Sequence, residues 1–143
     1  MKKLMLYIKK NIKNLWKYKT FGLRPRYAHS WTGHGNDKTS NKYIIHTVGP
    51  RYTTGENGET EKLKSAYYES LKLAKIKGIR KIAFPSISTG IYRFPVDEGA
   101  KIALSTAIKF LDENPNTFDL ILWVLDEKTY VIYEEKYKKL IEI

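Results

Sequence analysis

Six consecutive apolar residues, Leu120-Ile121-Leu122-Trp123-Val124-Leu125, constrain the fold of this chain more than any other stretch. A strand with one wet face alternates apolar and polar side chains, because successive side chains point to opposite faces. A run without a polar residue must be buried on both faces, as in a parallel sheet with helices on either side. Two further strand-like stretches precede it: Tyr43 to Val48, ended by Gly49-Pro50, and Ile79 to Phe84, ended by Pro85. Helical stretches lie between them. From about Glu61 to Lys77, Leu63, Tyr67, Leu71 and Ala74 share one side, with Gly78 as the C-terminal cap. From Pro95 to about Leu111 the inner face is Val96, Ala100, Ala103, Ala107 and Leu111, and Asn114-Pro115-Asn116 breaks the pattern. A last helix from about Thr129 carries Tyr130, Tyr133, Tyr137 and Leu140 on one face. This alternation predicts an α/β fold with a mostly parallel sheet. Ligands of such sheets sit beyond the C-terminal strand ends, here the loop after Phe84 and the pair Leu125-Asp126.

That loop lies within Lys81-Ile82-Ala83-Phe84-Pro85-Ser86-Ile87-Ser88-Thr89-Gly90-Ile91-Tyr92-Arg93-Phe94-Pro95. A short apolar run gives way to hydroxyl residues and a glycine, and then to a proline at the start of a helix. Asp97 and Glu98 follow, acids that favour a helix N-terminus. Strand, small-residue loop and helix start make the arrangement in which backbone N–H groups converge on an anion. Gly90 would let the backbone come close to a phosphate, and Ser88 and Thr89 add hydroxyl donors. The same residues also suit an ordinary strand-to-helix turn, since Ser-Thr-Gly alone is a weak signal.

Charge divides the chain. Of the net +11, residues 1–42 hold 11 Lys and Arg against the single acid Asp37, while residues 43–143 hold 15 against 14. The shift places a segment boundary near residue 42. Met1 to about Lys19 reads as a basic helix, with Leu4, Ile8, Asn11, Ile12 and Leu15 at roughly helical spacing. Such a segment can meet nucleic acid or an anionic membrane, or it can pack its apolar stripe on the domain. Packing is the preferred reading. Arg24 to Asn41 reads as loop. Its Gly33 and Gly35 are followed by Lys38 where a dinucleotide fingerprint needs a third glycine. His29 and His34 have no acidic or thiol neighbour placed to complete a metal site, so no metal and no cofactor are expected. With 143 residues, 42% of them hydrophobic, the chain suffices for one domain with a real core. It has no cysteine, hence no disulfide or thiolate ligand, and no apolar run long enough to span a bilayer. The basic N-terminus lacks the apolar core and cleavage site of a signal peptide, so a cytoplasmic location is expected.

The stretch from Lys81 to Pro95 resembles the phosphate-binding loop of the macrodomain family, which binds ADP-ribose. Tyr43-Ile44-Ile45-His46-Thr47-Val48-Gly49-Pro50 resembles a second hallmark of that family, in the right order and separation. The resemblance covers roughly residues 43–143 and implies a three-layer α/β/α macrodomain-like core behind a basic, unrelated segment 1–42. It implies that Ser88, Thr89, Gly90, Ile91 and Tyr92 wrap the diphosphate and adjacent ribose, mostly through backbone N–H groups. Tyr92 matches an aromatic position beside the distal ribose, and Phe94 either joins it or packs beneath the loop. Arg93 replaces a glycine of many relatives, to add a phosphate contact or point into solvent. Leu125, often aromatic in relatives, covers the adenine, with Asp126 beside it at the same strand end. His46 falls in a structural strand.

The resemblance also marks what is missing. Family members begin with an acidic-residue strand that recognises adenine, then carry an Asn-Ala-Ala-Asn-like segment and a glycine-rich loop with an acidic residue. None is recognisable in residues 1–42. Asn11 and Asn14 have the spacing, but Ile12-Lys13 stands between them. The chain therefore reads as an N-terminally truncated macrodomain that binds ADP-ribose or an ADP-ribosylated protein. One alternative is a hydrolase that removes ADP-ribose from proteins or deacetylates O-acetyl-ADP-ribose, its catalytic residues unassigned. The other is an inactive remnant whose basic segment binds nucleic acid or membrane.

Overall fold

A computed structural model describes residues 4–8, 29–32 and 43–141. In chain order these form β1 (Leu4–Ile8), β2 (His29–Thr32), β3 (Tyr43–His46), α1 (Glu59–Ile76), β4 (Lys81–Phe84), α2 (Val96–Glu113), β5 (Leu120–Leu125) and α3 (Glu127–Ile141). The apolar run is the middle strand of a three-stranded sheet in the order β1-β5-β4. Both neighbours are parallel to it, with Leu4 opposite Ile121, Ile8 opposite Leu125 and Phe84 opposite Trp123. Its alternate residues Ile121, Trp123 and Leu125 join the main core, and Leu122 and Val124 are buried on the other face. The two-faced burial expected of this run is what the strand has.

Helices α1, α2 and α3 lie side by side and share one apolar cluster with Phe84, Ile121, Trp123 and Leu125. Ala100, Ala103 and Ala107 make the face of α2 small, which lets a helix sit close between two others. The predicted face of α1 is buried throughout, and Gly78, at φ 71, reverses the chain after it. Aromatic rings fill the space between helices and sheet. Phe84 stacks on Trp123 at 5.5 Å between ring centres, and Tyr67 meets Phe84 edge-on at 5.2 Å.

Three expectations are corrected. Leu4–Ile8, assigned to a basic helix, is a strand hydrogen-bonded along β5; the rest of that predicted helix lies outside the described residues. The reason is demand from β5, whose second edge would otherwise bury unpaired backbone groups. His29–Thr32, read as loop, is a strand antiparallel to β3, with His29 opposite His46. Consequently β3 belongs to this separate two-stranded pairing and not to the parallel sheet of β4 and β5. The α/β class and the parallel sheet stand. Among the described residues all three helices share the one apolar cluster, and His34 lies outside the described residues.

The start of α1 has an uncommon arrangement. Gly58 precedes it at φ 72 and provides no side-chain cap. Glu59, 1% exposed, instead turns its carboxylate back onto the preceding turn. It accepts the N–H groups of Thr53 at 2.9 Å, Gly55 at 2.9 Å and Asn57 at 2.6 Å, and the Thr53 hydroxyl at 3.2 Å. These bonds, that from Thr53 N–H foremost, outweigh burial and hold the Glu59 carboxyl down at about 2 against an ordinary 4.5. A depressed folded-state value stabilises the fold above the unfolded-state value and ceases to do so as pH falls through the folded one. Glu59→Gln should therefore melt below the unaltered chain at neutral pH. Thermal scans across pH should show the gap complete above about 4.5 and closing towards 2.

Candidate functional site

Beyond the C-terminal end of β4, residues 85–95 fold back into a compact lobe before α2. Ser88 and Arg93, at φ 66 and 62, are both left-handed without being glycine, which costs each about 1–2 kcal/mol. Two backbone bonds close the lobe: Arg93 N–H to Gly90 O at 3.0 Å and Phe94 N–H to Ser88 O at 2.9 Å. Pro95 caps α2, with Asp97 and Glu98 in its first turn. Among the described residues, no acceptor meets the N–H groups of Ser88, Gly90, Ile91 and Tyr92. Ile91 is 91% exposed, and the Arg93 side chain is also exposed, without an ion-pair partner among the described residues.

The lobe is anchored from beneath on four sides. From α1, the Tyr67 hydroxyl accepts the Ile87 N–H at 3.0 Å. From α3, the Tyr133 hydroxyl lies 2.8 Å from Ser86 Oγ, which lies 2.6 Å from Thr89 Oγ1. Burial pushes both tyrosine hydroxyls above their ordinary value, that of Tyr133 well above, so they stay neutral hydrogen-bonding groups. From the chain after β3, Gly49 packs directly against Ile87 and Ser88. From the first turn of α2, Gly99 packs against Thr89: a Cβ there would stand 2.8 Å from the threonine methyl. A further contact comes from the turn before α1. Tyr52 N–H donates to Tyr92 O at 2.8 Å, and its ring meets the buried Phe94 edge-on at 5.2 Å.

Of the residues predicted for the site, Ser88, Thr89, Gly90, Ile91, Tyr92 and Arg93 come together in this one lobe. Their parts differ from the expectation in detail. Thr89 spends its hydroxyl on Ser86, and Ser88 Oγ is buried without a partner, so neither hydroxyl stands on the outer surface as a free donor. Phe94, 1% exposed, packs beneath. Leu125, 2% exposed, is core, and the Asp126 carboxylate caps α3 by accepting the Thr129 N–H at 2.8 Å. Sequence reasoning did not single out Gly49, Tyr52, Tyr67, Ser86, Gly99 or Tyr133 as its supports. Gly99 had a signal, since glycine inside a helix costs about 1 kcal/mol and calls for a packing reason. A separate open cavity of about 340 Å³ lies between α1 and α2, lined by Glu61, Lys64, Tyr68, Lys109 and Phe110 among others, and contains no residue of the lobe. Among the described residues no group of His, Cys, Asp and Glu could hold a metal ion.

Gly90 differs from its neighbours Gly49 and Gly99. Its φ is not left-handed, and a Cβ on it would meet no atom of the described residues within 4 Å. Nothing among the described residues requires a glycine there. A Cβ at Gly49, in contrast, would collide with Ser88 Oγ and Ile87 Cγ2. Gly49→Ala should thus destabilise the fold by about 1–3 kcal/mol in urea titrations, whereas Gly90→Ala should change it by less than about 0.5 kcal/mol.

Comparison with known proteins places this geometry. The family profile described as Macro domain matches residues 25–103, beginning upstream of the boundary that charge suggests. An uncharacterized protein of Fusobacterium nucleatum is 84% identical over 103 residues, 72% of this chain and 59% of the relative. A protein of Pantoea vagans named O-acetyl-ADP-ribose deacetylase 1 is 41% identical over 102 residues, 71% of this chain and 58% of the relative. A mutant of the Oceanobacillus iheyensis macrodomain, solved with ADPR, superposes with a TM-score of 0.75 at 40% identity, over 85% of this chain and 63% of that one. The chain thus spans less than two thirds of the length of each of these. With a parallel sheet of the same fold and a family match over more than half its residues, the chain belongs to the macrodomain family.

Proposed function

We propose that this chain binds ADP-ribose, free or attached to protein, and that the lobe of residues 88–93 holds the diphosphate. The observation that carries this is the row of N–H groups without acceptors among the described residues, beside a glycine that none of those residues requires. Gly90, Ile91 and Tyr92 are exposed, so water can serve these donors in the free chain, and a cluster of accessible N–H groups before a helix N-terminus suits a phosphate oxygen. Arg93 adds a positive charge at the edge, and Ile91 and Tyr92 offer apolar and aromatic surface to a ribose. The Oceanobacillus structure with ADPR supports the same ligand. Leu125 and Asp126, one in the core and one capping a helix, serve the scaffold of the site in this reading. Gly90→Glu tests it, because the new carboxylate fills the approach without touching the core. Calorimetry should show heat with ADP-ribose for the unaltered chain and none for the variant, with unchanged circular dichroism. A folded unaltered chain giving no heat at millimolar ADP-ribose would sink the proposal.

The Pantoea relative's name favours a second reading, removal of the acetyl group from O-acetyl-ADP-ribose. Positioning of the scissile bond and the attacking water supplies much of the barrier reduction in such a reaction. The lobe grips the diphosphate side alone, and residues 1–42 hold no recognisable asparagine segment or acidic glycine loop for the other. Acetate release should accordingly not exceed that of Gly90→Glu; turnover well above that control would establish the enzymatic reading. The polyanion-binding reading of the basic segment is less favoured, since Leu4–Ile8 is a strand of the sheet.

A further inference from the structure

The turn of residues 52–58 and Glu59 fall outside the lobe, and nothing in the functional reading so far uses them. Their contacts nevertheless lead into it without a gap. The Glu59 carboxylate fixes the N–H groups of Thr53 and Gly55. Gly55, at φ 83, lies against the tip of the Tyr52 ring: a Cβ there would stand 2.7 Å from the Tyr52 hydroxyl oxygen. Tyr52 then reaches the lobe twice, by its N–H on Tyr92 O at 2.8 Å and by its ring on Phe94 at 5.2 Å. A helix start alone needs none of this, because a serine or aspartate at position 58 would cap α1. A buried carboxylate bound by three backbone N–H groups is instead a device for fixing the turn in one conformation.

We infer that Glu59 is a positioning residue for the ligand lobe: through Gly55 and Tyr52 it sets where Tyr92 and Phe94 stand. Its effect falls mainly on the ribose beyond the diphosphate, because Tyr52 reaches the lobe at Tyr92 and Phe94, the end that runs into α2. The inference rests on the ADP-ribose reading of the lobe. ADP and ADP-ribose share the diphosphate and differ in that ribose, so the two ligands separate the effects.

Calorimetry well below the melting temperature, with both ligands, tests the assignment. Glu59→Gln should bind ADP-ribose about three- to tenfold more weakly, the range of a lost or misplaced hydrogen bond, and ADP within about twofold of the unaltered chain. In a Tyr92→Ala background the Glu59→Gln loss should shrink, because the Tyr52 N–H to Tyr92 O bond remains but the side chain it places is gone. A variant that is folded yet binds both ligands normally, or loses both equally, overturns the role of Glu59 while leaving the site reading intact. An unaltered chain that binds neither ligand overturns the site reading and this inference with it. Should Glu59→Gln fail to fold, Tyr52→Leu takes its place, since it leaves the carboxylate and its bonds alone. The same ADP-ribose-selective loss is expected, and unchanged ADP-ribose binding by Tyr52→Leu overturns the inference.

Discussion

Strand β5 demands more from its surroundings than any other element. It has two edges of backbone donors and acceptors to pair and two apolar faces to cover, and a buried unpaired amide costs a large part of the stability of a small domain. Its solution draws on distant parts of the chain: β4 on one edge, β1 on the other, and three helices over Ile121, Trp123 and Leu125. Each of these side chains contributes on the order of 1.5–3 kcal/mol by burial. That placement of β5 also sets the site. Its C-terminal end launches α3, whose Tyr133 reaches across to Ser86, while β4 alongside delivers the lobe to the same end of the sheet.

The lobe itself runs against stability. Two non-glycine residues are left-handed, and Ser88 Oγ is buried without a partner. Each feature costs a kcal/mol or more by itself, so the shape persists only because the surroundings over-determine it. Tyr67, Tyr133, Gly99 and the pair Gly49 and Tyr52 come from four different parts of the chain and hold it on several sides. Strain held in this way leaves the donors pointing outward before any ligand arrives. Less conformational freedom is then lost on binding.

Much of this was legible in the sequence, and what was not has a physical reason. The three helices and their buried faces followed from 3.6-residue periodicity, because each presents one stripe to one core. Order and composition marked Ser88 to Arg93 as a strand-to-helix loop, and the resemblance to the macrodomain family singled it out as a ligand loop. Leu4–Ile8 was misread, although Lys2-Lys3 and Lys9-Lys10 bound it as they would a short buried strand. Leu4 and Ile8 are also four apart, and periodicity cannot separate the two readings in a run of this length. Only the open edge of β5, a tertiary fact, decides between them. The supports of the lobe were hidden for a similar reason. Tyr67 and Tyr133 sit on helical stripes that packing alone explains, and their hydroxyl bonds join residues far apart in the chain. Asp126, at a strand end, is as well placed for a ligand as for a cap, and in the fold it accepts the Thr129 N–H.

The means of support have an electrostatic consequence. Apart from the distant Glu59, the groups that hold the lobe are neutral: tyrosine, serine and threonine hydroxyls, glycine backbone and aromatic edges. Burial keeps the Tyr67 and Tyr133 hydroxyls from ionising, so they bring no negative charge near the outward N–H groups. The one carboxylate involved, Glu59, is ionised, and the N–H groups of Thr53, Gly55 and Asn57 are directed at it. The field at the lobe surface is then set by its own backbone dipoles, the start of α2 and Arg93, all favouring an anion, with Asp97 and Glu98 on the first turn opposing. Lys136 stands 3.9 Å from Asp97 and partly offsets that opposition. A loop braced by charged side chains would have to trade positioning against attraction. Bracing this one with neutral hydroxyls and close glycine contacts separates the two, so rigidity is obtained without spending the potential that a diphosphate would feel.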